Sequence, residues 1–172
     1  MLERWDQVAL SDGWLIAGAV AQTYWNAAHD LPAGHGIKDV DIAYFDASDL
    51  SAAAEEAQAA RVGTLFRDLP VRFDVKNEAR VHLWYERKFG YPIHRPYTST
   101  PDAIATFPTT ATSIGIRPNA SDLELCAPFG EHDLLDLIVR PNKTLITEAV
   151  YAAKIDRWRG LWPRLKIADW ES

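Results

Sequence analysis

Short apolar runs and stretches of helical periodicity alternate along the first half of this chain. Residues 38–45 alternate polar and apolar side chains before an apolar end, the pattern of a β-strand with one face towards a core. The apolar run 14–17 predicts a short buried strand, and 71–75 predicts a third strand. The alanine-rich stretch 51–69 predicts a helix that crosses back over the sheet, so that the third strand pairs beside the earlier ones.

The same pattern predicts helices and a hairpin elsewhere in the chain. In chain order, these are helices over 2–10 and 19–29, a loop over 85–96, a helix start at 98–103, strands over 111–117 and 122–127 joined by Pro118-Asn119-Ala120-Ser121, and helices over 131–137 and 144–162. No repeat and no linker interrupts this order. We therefore expect a single domain over residues 1–172.

Two aspartates dominate the strand predicted at 38–45. Asp39 and Asp41 point to the same side, about 6.6 Å apart along the strand, because strand side chains alternate faces. Parallel carboxylates repel one another, and a cation that compensates them would be Mg²⁺ or Mn²⁺, which prefer oxygen ligands. The alternative is a polar strand edge whose aspartates face water. Asp74, amid apolar neighbours in the third strand, adds a further carboxylate.

Gly18 and Ala19 follow the first predicted strand and open a helix. A glycine there lets a phosphate approach the backbone, and a helix N-terminus supplies free N–H groups and the positive end of its dipole. The alternative is a tight turn that merely needs glycine.

Lys76, Asn77 and Arg80 follow the third acidic strand. If residues 77–87 are helical, Lys76 and Arg80 lie near one face and can meet phosphate oxygens, while Asn77 caps the helix. The alternative is a solvated, salt-bridged helix start. We expect His82 to be a structural histidine with its hydrogen bonds satisfied.

Composition narrows the classes of function. A net charge of −6 argues against broad binding to nucleic acid but leaves room for a small nucleotide carried with its own Mg²⁺. The single cysteine, Cys126, allows no intrachain disulfide and predicts a buried structural thiol in a reducing compartment. The N-terminus lacks the apolar core of a signal peptide, and no apolar run approaches the ~18 residues of a membrane span, so we expect a cytoplasmic protein.

Motifs along nearly the whole chain resemble one family. They are Ala17-Gly18-Ala19-Val20 with Trp25, the segments 39–46, 75–82, 97–100, 110–112 and 127–130, Arg140-Pro141, and Lys154 with Trp158 and Trp162-Pro163. In this order they resemble the bacterial nucleotidyltransferase-like family NTP_transf_6, formerly a domain of unknown function. A glycine turn before a helix, then Asp-x-Asp, then a third acidic strand is also the order of parts in the DNA polymerase β-like nucleotidyltransferases.

The resemblance implies an α+β protein with the polymerase β-like fold, a mixed β-sheet flanked by helices. It implies a metal-dependent transfer of a nucleoside monophosphate from an NTP to a hydroxyl of a protein, an RNA end or a small molecule. Asp39, Asp41 and Asp74 would ligate Mg²⁺ or Mn²⁺, with Asp74 helping to deprotonate the acceptor. Gly18 and Ala19 amides would hold the phosphates and Lys76 or Arg80 would neutralise their charge, with Asn77 as a further residue of the nucleotide site.

This chain departs from the resemblance in three places. Gly18-Ala19 stands where the superfamily usually carries Gly-Ser or Gly-Gly, Ala21-Gln22 stands where the family tends to carry Arg-Asn, and Glu78 stands where it tends to carry glutamine. A second hypothesis is therefore a catalytically weak or inactive nucleotide- or metal-binding module with a regulatory or antitoxin-like role. A third, a structural interaction protein, would use the seven tryptophans, which we expect instead to fill the core.

Overall fold

A five-stranded mixed sheet forms the centre of the computed structural model, which describes residues 1–93, 95–119 and 122–172. Its strands are β1 (Trp14–Ile16), β2 (Asp39–Tyr44), β3 (Arg72–Asn77), β4 (Gly115–Asn119) and β5 (Asp122–Cys126). They lie in the order β3-β2-β1-β4-β5, with β2 and β3 parallel and the other neighbours antiparallel. The expected α+β class, a mixed sheet flanked by helices, is confirmed.

The helices surround this sheet. They are α1 (Gly18–Ala28), α2 (Ala52–Leu65), α3 (Tyr85–Phe89), α4 (Thr100–Ile104), α5 (His132–Leu135) and α6 (Glu148–Leu161), with 3₁₀ helices at Leu2–Gln7, Glu78–Leu83 and Thr110–Thr112. A small parallel pair, β6 (Ile138–Val139) and β7 (Lys166–Ile167), was not expected. Within the described residues, no helix is both long enough and apolar enough to cross a membrane.

Helix α2 makes the crossover that allows β2 and β3 to run parallel. Ser51 caps it by accepting a hydrogen bond from the Ala54 amide at 3.1 Å, as its residue type favours. Val62 of α2 and Phe66, directly after it, pack on one face of the sheet, where Ile42 contributes to the same buried cluster. The opposite face of β2 and β3 is therefore left for the polar side chains.

Tryptophans join the first long helix to the last. Trp25, Trp158 and Trp162 are buried, and the Trp25 ring meets the other two edge to face at 5.2 and 5.3 Å between centroids. The Trp162 indole N–H donates to Asn26 Oδ1 at 2.7 Å. The prediction that tryptophans fill the core holds for these three and for Trp14.

The chain differs from the predicted pattern after β3 and before β4. A 3₁₀ helix at Glu78–Leu83 and the short α3 replace a continuous helix over 77–87, with a break at Trp84. The predicted strand over 111–117 begins only at Gly115. Strands β4 and β5 pair as a hairpin, whose predicted turn includes Ala120 and Ser121, which lie outside the described residues.

Candidate active site

Three aspartates share the face of the sheet that α2 leaves open. In the parallel register of β2 and β3, Asp41 is opposite Asp74 and Asp39 is opposite Arg72. Opposed positions on paired strands point to the same side, and Asp39 lies two residues from Asp41. The three aspartates thus lie on one face of the sheet.

Two of these carboxylates have basic partners. Asp39 Oδ2 lies 2.8 Å from an Arg72 nitrogen, and Asp74 Oδ1 lies 3.0 Å from Lys76 Nζ. Asp41 forms no ion pair among the described residues and is partly buried. Burial, followed by the negative charges of Asp39 and Asp74, raises the pKa of the Asp41 carboxyl to about 6.

Lys154 approaches the same carboxylates from α6. Its side chain lines the cleft above Asp41 and makes no ion pair within the part of the chain that the structure describes. Burial lowers the pKa of its ammonium group and the charge of Arg157 lowers it further, whereas Asp41 and Asp39 oppose the change. Sequence reasoning missed this residue as a site residue, although it lies one helical turn from Val150 and from Trp158, on the inner side of α6.

A cleft of about 370 Å³ opens over the acidic face. Asp41, Asp74, Lys76 and Lys154 are among its lining residues. Its aromatic lining residues are Trp84, Tyr85, Phe89, Tyr91, Tyr97 and Phe107. The volume lies in the range of small-molecule sites, and the mixture of apolar walls with a few polar groups is typical of them.

The turn between β1 and α1 borders this cleft. Ala17 lines it and has φ 52° and ψ −121°, a strained conformation for a residue with a side chain. The amides of Val20 and Ala21 donate to the Ala17 carbonyl. The Gly18 and Ala19 amides have no backbone acceptor among the described residues, as expected at a helix N-terminus.

A small side chain at position 18 would require only a local adjustment. A Cβ there would lie 2.9 Å from Gln22 Nε2, the far end of a flexible side chain. The residue with positive φ in this turn is Ala17 rather than Gly18.

Asn77 and Arg80 lie outside the cleft. Asn77 caps the 3₁₀ helix as predicted by accepting from the Ala79 amide, and its amide group also bridges to the backbone of Asp46. Arg80 donates to the carboxylate of Glu55 on α2. The expectation that Arg80 shares a face with Lys76 is wrong, because Lys76 still belongs to β3 while the 3₁₀ helix turns Arg80 towards α2.

Two other titratable residues bear on the sequence predictions. His82 Nδ1 is buried without a hydrogen-bond partner among the described residues, so the expectation of a satisfied histidine is wrong for this atom. Cys126 lies on β5 as a free thiol and is partly buried, and burial raises its pKa. An elevated thiol pKa fits the expected structural role rather than a nucleophilic one.

The donor chemistry of the three aspartates fits a divalent cation that prefers oxygen. Asp41 is held against the repulsion of two like charges, which a cation would relieve. The side chains do not yet form a cage: within the described ranges, no three acidic, histidine or cysteine residues are grouped closely enough to hold a metal ion. Asp39 and Asp74 instead face Arg72 and Lys76.

Solved structures share this architecture. A protein whose NMR structure reveals a CCA-adding enzyme head domain is 27% identical and superposes with a TM-score of 0.79, over 98% of this chain and 87% of its own. A Thermotoga maritima CCA-adding enzyme in complex with tRNA is 15% identical with a TM-score of 0.52, over 92% of this chain. This chain spans only 35% of that enzyme, and the likeness shows the fold alone.

No curated protein matches the sequence. The family model described as nucleotidyltransferase, NTP_transf_6, matches residues 3–167, which is nearly the whole chain and includes every element of the acidic face. The chain therefore belongs to the NTP_transf_6 family of nucleotidyltransferases.

Proposed function

We propose that this protein, acting as one domain over residues 1–172, transfers a nucleoside monophosphate from an NTP to a hydroxyl acceptor. The observation that supports this most directly is the opposed pair Asp41 and Asp74 in the lining of a cleft, in a chain of a nucleotidyltransferase family. In the reaction, the acceptor oxygen bonds to the α-phosphorus and the bond from the α-phosphorus to the β-phosphate oxygen breaks, which releases pyrophosphate.

Each acidic residue has a distinct task in this proposal. Mg²⁺ or Mn²⁺ held by Asp39, Asp41 and Asp74 would neutralise the developing charge on the phosphates and on the attacking oxygen. Asp39 and Asp74 would exchange their basic partners, Arg72 and Lys76, for this cation. A carboxylate oxygen of Asp74 would receive the proton of the acceptor hydroxyl.

The backbone and two lysines would hold the phosphates. The Gly18 and Ala19 amides point out of the first turn of α1, where a negative charge is favoured. Lys76, once separated from Asp74, and Lys154 from α6 would place positive charge on two sides of the triphosphate. Asn77 and Arg80 instead fix the backbone after β3 and make no contact with the nucleotide.

The ion pairs of Asp39 and Asp74 favour a second candidate function. In the described residues these carboxylates already have cationic partners, and no metal cage is formed without a rearrangement. A protein that kept these pairs would bind a nucleotide or a metal without turnover, as a regulatory or antitoxin-like module.

A transfer assay separates the two. The purified protein would be incubated with each α-labelled NTP and with Mg²⁺ or Mn²⁺, in mixtures that contain total RNA, lysate proteins or lysate small molecules. We expect transfer of label and release of pyrophosphate that are lost in Asp74→Asn and retained in Asp156→Asn, which changes an exposed aspartate of α6. Nucleotide binding without pyrophosphate in every mixture would support the binding module instead.

The three kinds of mixture, with RNA, proteins or small molecules as acceptors, also test the likeness to CCA-adding proteins. Label that appears only in RNA would identify an RNA hydroxyl as the acceptor, whereas label in protein or in small molecules would assign the acceptor to those classes.

A further inference from the structure

Glu78 is a buried acid with no partner in the wall of the cleft. It is the first residue of the 3₁₀ helix after β3, and only 7% of its surface is exposed. It lines the cleft, yet among the described residues none donates a hydrogen bond to its carboxyl group. Its oxygens are not among the buried atoms without a partner, so the carboxyl group is open to the cleft, where a ligand can pair with it.

The surroundings of Glu78 favour its neutral form. Burial raises the pKa of this carboxyl to about 8, and the negative charges of Glu55 and Asp41 act in the same direction while Lys76 opposes them. A protonated carboxyl group has an O–H donor beside a C=O acceptor. It therefore presents a paired hydrogen-bonding edge to whatever fills the cleft.

Aromatic side chains line the same cleft as that edge. Tyr97 is buried next to Glu78. Burial, together with the Glu78 charge, raises the pKa of the Tyr97 phenol to about 12, although the hydrogen bond with Thr106 lowers this pKa. The hydroxyls of Tyr85 and Tyr91 both donate to the Leu145 carbonyl, at 2.8 and 2.6 Å, which fixes the orientation of two further rings.

The wall is thus held rigid before any ligand enters. Stacking of a base on an aromatic side chain contributes about 1–3 kcal/mol, and a ring that is already fixed loses little entropy when it makes the contact.

We propose that the aromatic wall of the cleft is the nucleobase subsite, and that Glu78 recognises the base by paired hydrogen bonds to its edge. Each of the common bases has a hydrogen-bond acceptor beside a donor on its Watson–Crick edge, which is the complement of a carboxylic acid. The inference rests on the proposed function, because the base lies here only if the triphosphate lies between Asp41, Asp74 and Lys154.

Calorimetric binding tests the inference. The ligands would be the α,β-methylene analogues of the four NTPs and inorganic tripolyphosphate, each with Mg²⁺. Glu78→Gln keeps a donor beside an acceptor without charge, and we expect it to bind the best analogue within about threefold of the unmodified protein. Glu78→Leu keeps the volume but has no polar edge, and we expect it to bind that analogue about tenfold more weakly or worse, with tripolyphosphate unchanged.

A second variant probes the wall. Trp84→Leu removes an aromatic face of the cleft, and we expect it to weaken every NTP analogue while tripolyphosphate is retained. Thermal unfolding of each variant would show that the fold persists. Both Glu78 variants should unfold at the original temperature or above it, since they remove a buried unpaired acid.

The contrary outcomes separate the inference from the proposed function. Unchanged affinity of Glu78→Leu for every analogue, or an equal loss for tripolyphosphate, would overturn the base subsite while leaving nucleotidyl transfer in place. Failure of the unmodified protein to bind any NTP analogue would overturn both.

Discussion

Asp41 on β2 lies directly opposite Asp74 on β3, and both side chains face the same cleft. With Asp39 two residues away, the pair places three negative charges on one small area of the sheet. The result is the pKa of about 6 at Asp41, where burial is the largest cause and the two neighbouring carboxylates add to it. Perturbed pairs of this kind concentrate at functional sites, where they reduce stability in exchange for a binding surface.

We predict that Asp41→Asn abolishes transfer and stabilises the fold. The folded pKa of about 6 is above the ordinary 3.8, so the folded state binds this proton more tightly than the unfolded chain. The stability contributed by the protonated Asp41 carboxyl is lost as the pH rises from about 4 to 6. Above that range, the folded protein carries the full cost of keeping Asp41 ionised. Asparagine removes it and should raise the free energy of unfolding at about pH 7.5 by about 1–2 kcal/mol, and less at about pH 5.

Urea denaturation at the two pH values measures this change. Asp156→Asn on the exposed side of α6 is the control and should have no effect at either pH. A destabilised Asp41→Asn protein at the higher pH would contradict the electrostatic account of the site.

We predict that Mg²⁺ raises the midpoint of thermal unfolding more at about pH 7.5 than at about pH 5.5. A ligand that binds only the folded state stabilises it in proportion to the logarithm of its concentration over its dissociation constant. Below a pKa of about 6 the Asp41 carboxyl is largely protonated and is a poor metal ligand. The measurement is a melting curve in MgCl₂ against NaCl of equal ionic strength. An equal shift in Asp41→Asn would place the cation elsewhere.

We predict that Lys154→Met weakens the binding of tripolyphosphate and of NTP analogues by about tenfold. Lys154 faces the carboxylates across the cleft and has no anionic partner among the described residues, so a phosphate would supply one. Arg159→Met, an exposed change on the same helix, is the matched control and should leave both affinities unchanged. Calorimetric titration measures the affinities of both variants. Equal losses in the two would show that the effect comes from the overall charge of the protein and not from the position of Lys154.

The acidic face could be predicted from the sequence because it depends on local periodicity. A strand alternates its side chains whatever surrounds it, so the common face of Asp39 and Asp41 follows from their spacing. The pairing of Asp74 with Asp41 needed one further rule, that a helix such as α2 returns the chain to a parallel neighbour.

The rest of the site depends on contacts that periodicity does not encode. Lys76 and Arg80 point to different sides because the strand continues to Asn77 and a 3₁₀ helix follows it. Lys154 reaches the cleft only through the packing of α6, which is far from β2 in the chain. The isolation of Glu78 is visible only when all of its neighbours are known.

We predict that Arg80→Met destabilises the protein without a specific loss of nucleotide affinity. The Arg80 and Glu55 side chains are only 11% and 12% exposed, and removal of the arginine leaves a buried carboxylate without its cation. Such a loss costs about 3 kcal/mol or more. Lys76→Met breaks an ion pair whose members are 43% and 37% exposed and should cost less than about 1 kcal/mol, while nucleotide binding weakens.

Urea denaturation and tripolyphosphate titration of both variants provide the comparison. If Arg80→Met were fully stable and bound tripolyphosphate poorly, Arg80 would belong to the phosphate site after all.

We finally predict opposite consequences for alanine at two neighbouring glycines in the loop that leads to β2. Gly36 has φ +70°, and a Cβ there would lie 2.8 Å from the ring of Trp162. Trp162 cannot move easily, because it is fully buried and hydrogen-bonded to Asn26, whose amide group also donates to the loop carbonyls of Ala33 and His35. The left-handed conformation and the clash together should cost Gly36→Ala about 2–3 kcal/mol.

Gly34 is the matched control, since a Cβ there meets no atom within 4 Å and its φ is not positive. Gly34→Ala should be neutral or stabilise the fold by about 0.5 kcal/mol, through the reduced entropy of the unfolded chain. Because the loop enters β2 at Asp39, the strain in Gly36→Ala should also reduce the shift of the melting midpoint in Mg²⁺, whereas Gly34→Ala should keep it. Equal unfolding free energies for the two variants would contradict the steric account of Gly36, and an undiminished Mg²⁺ shift in Gly36→Ala would show that this loop does not position the acidic strand.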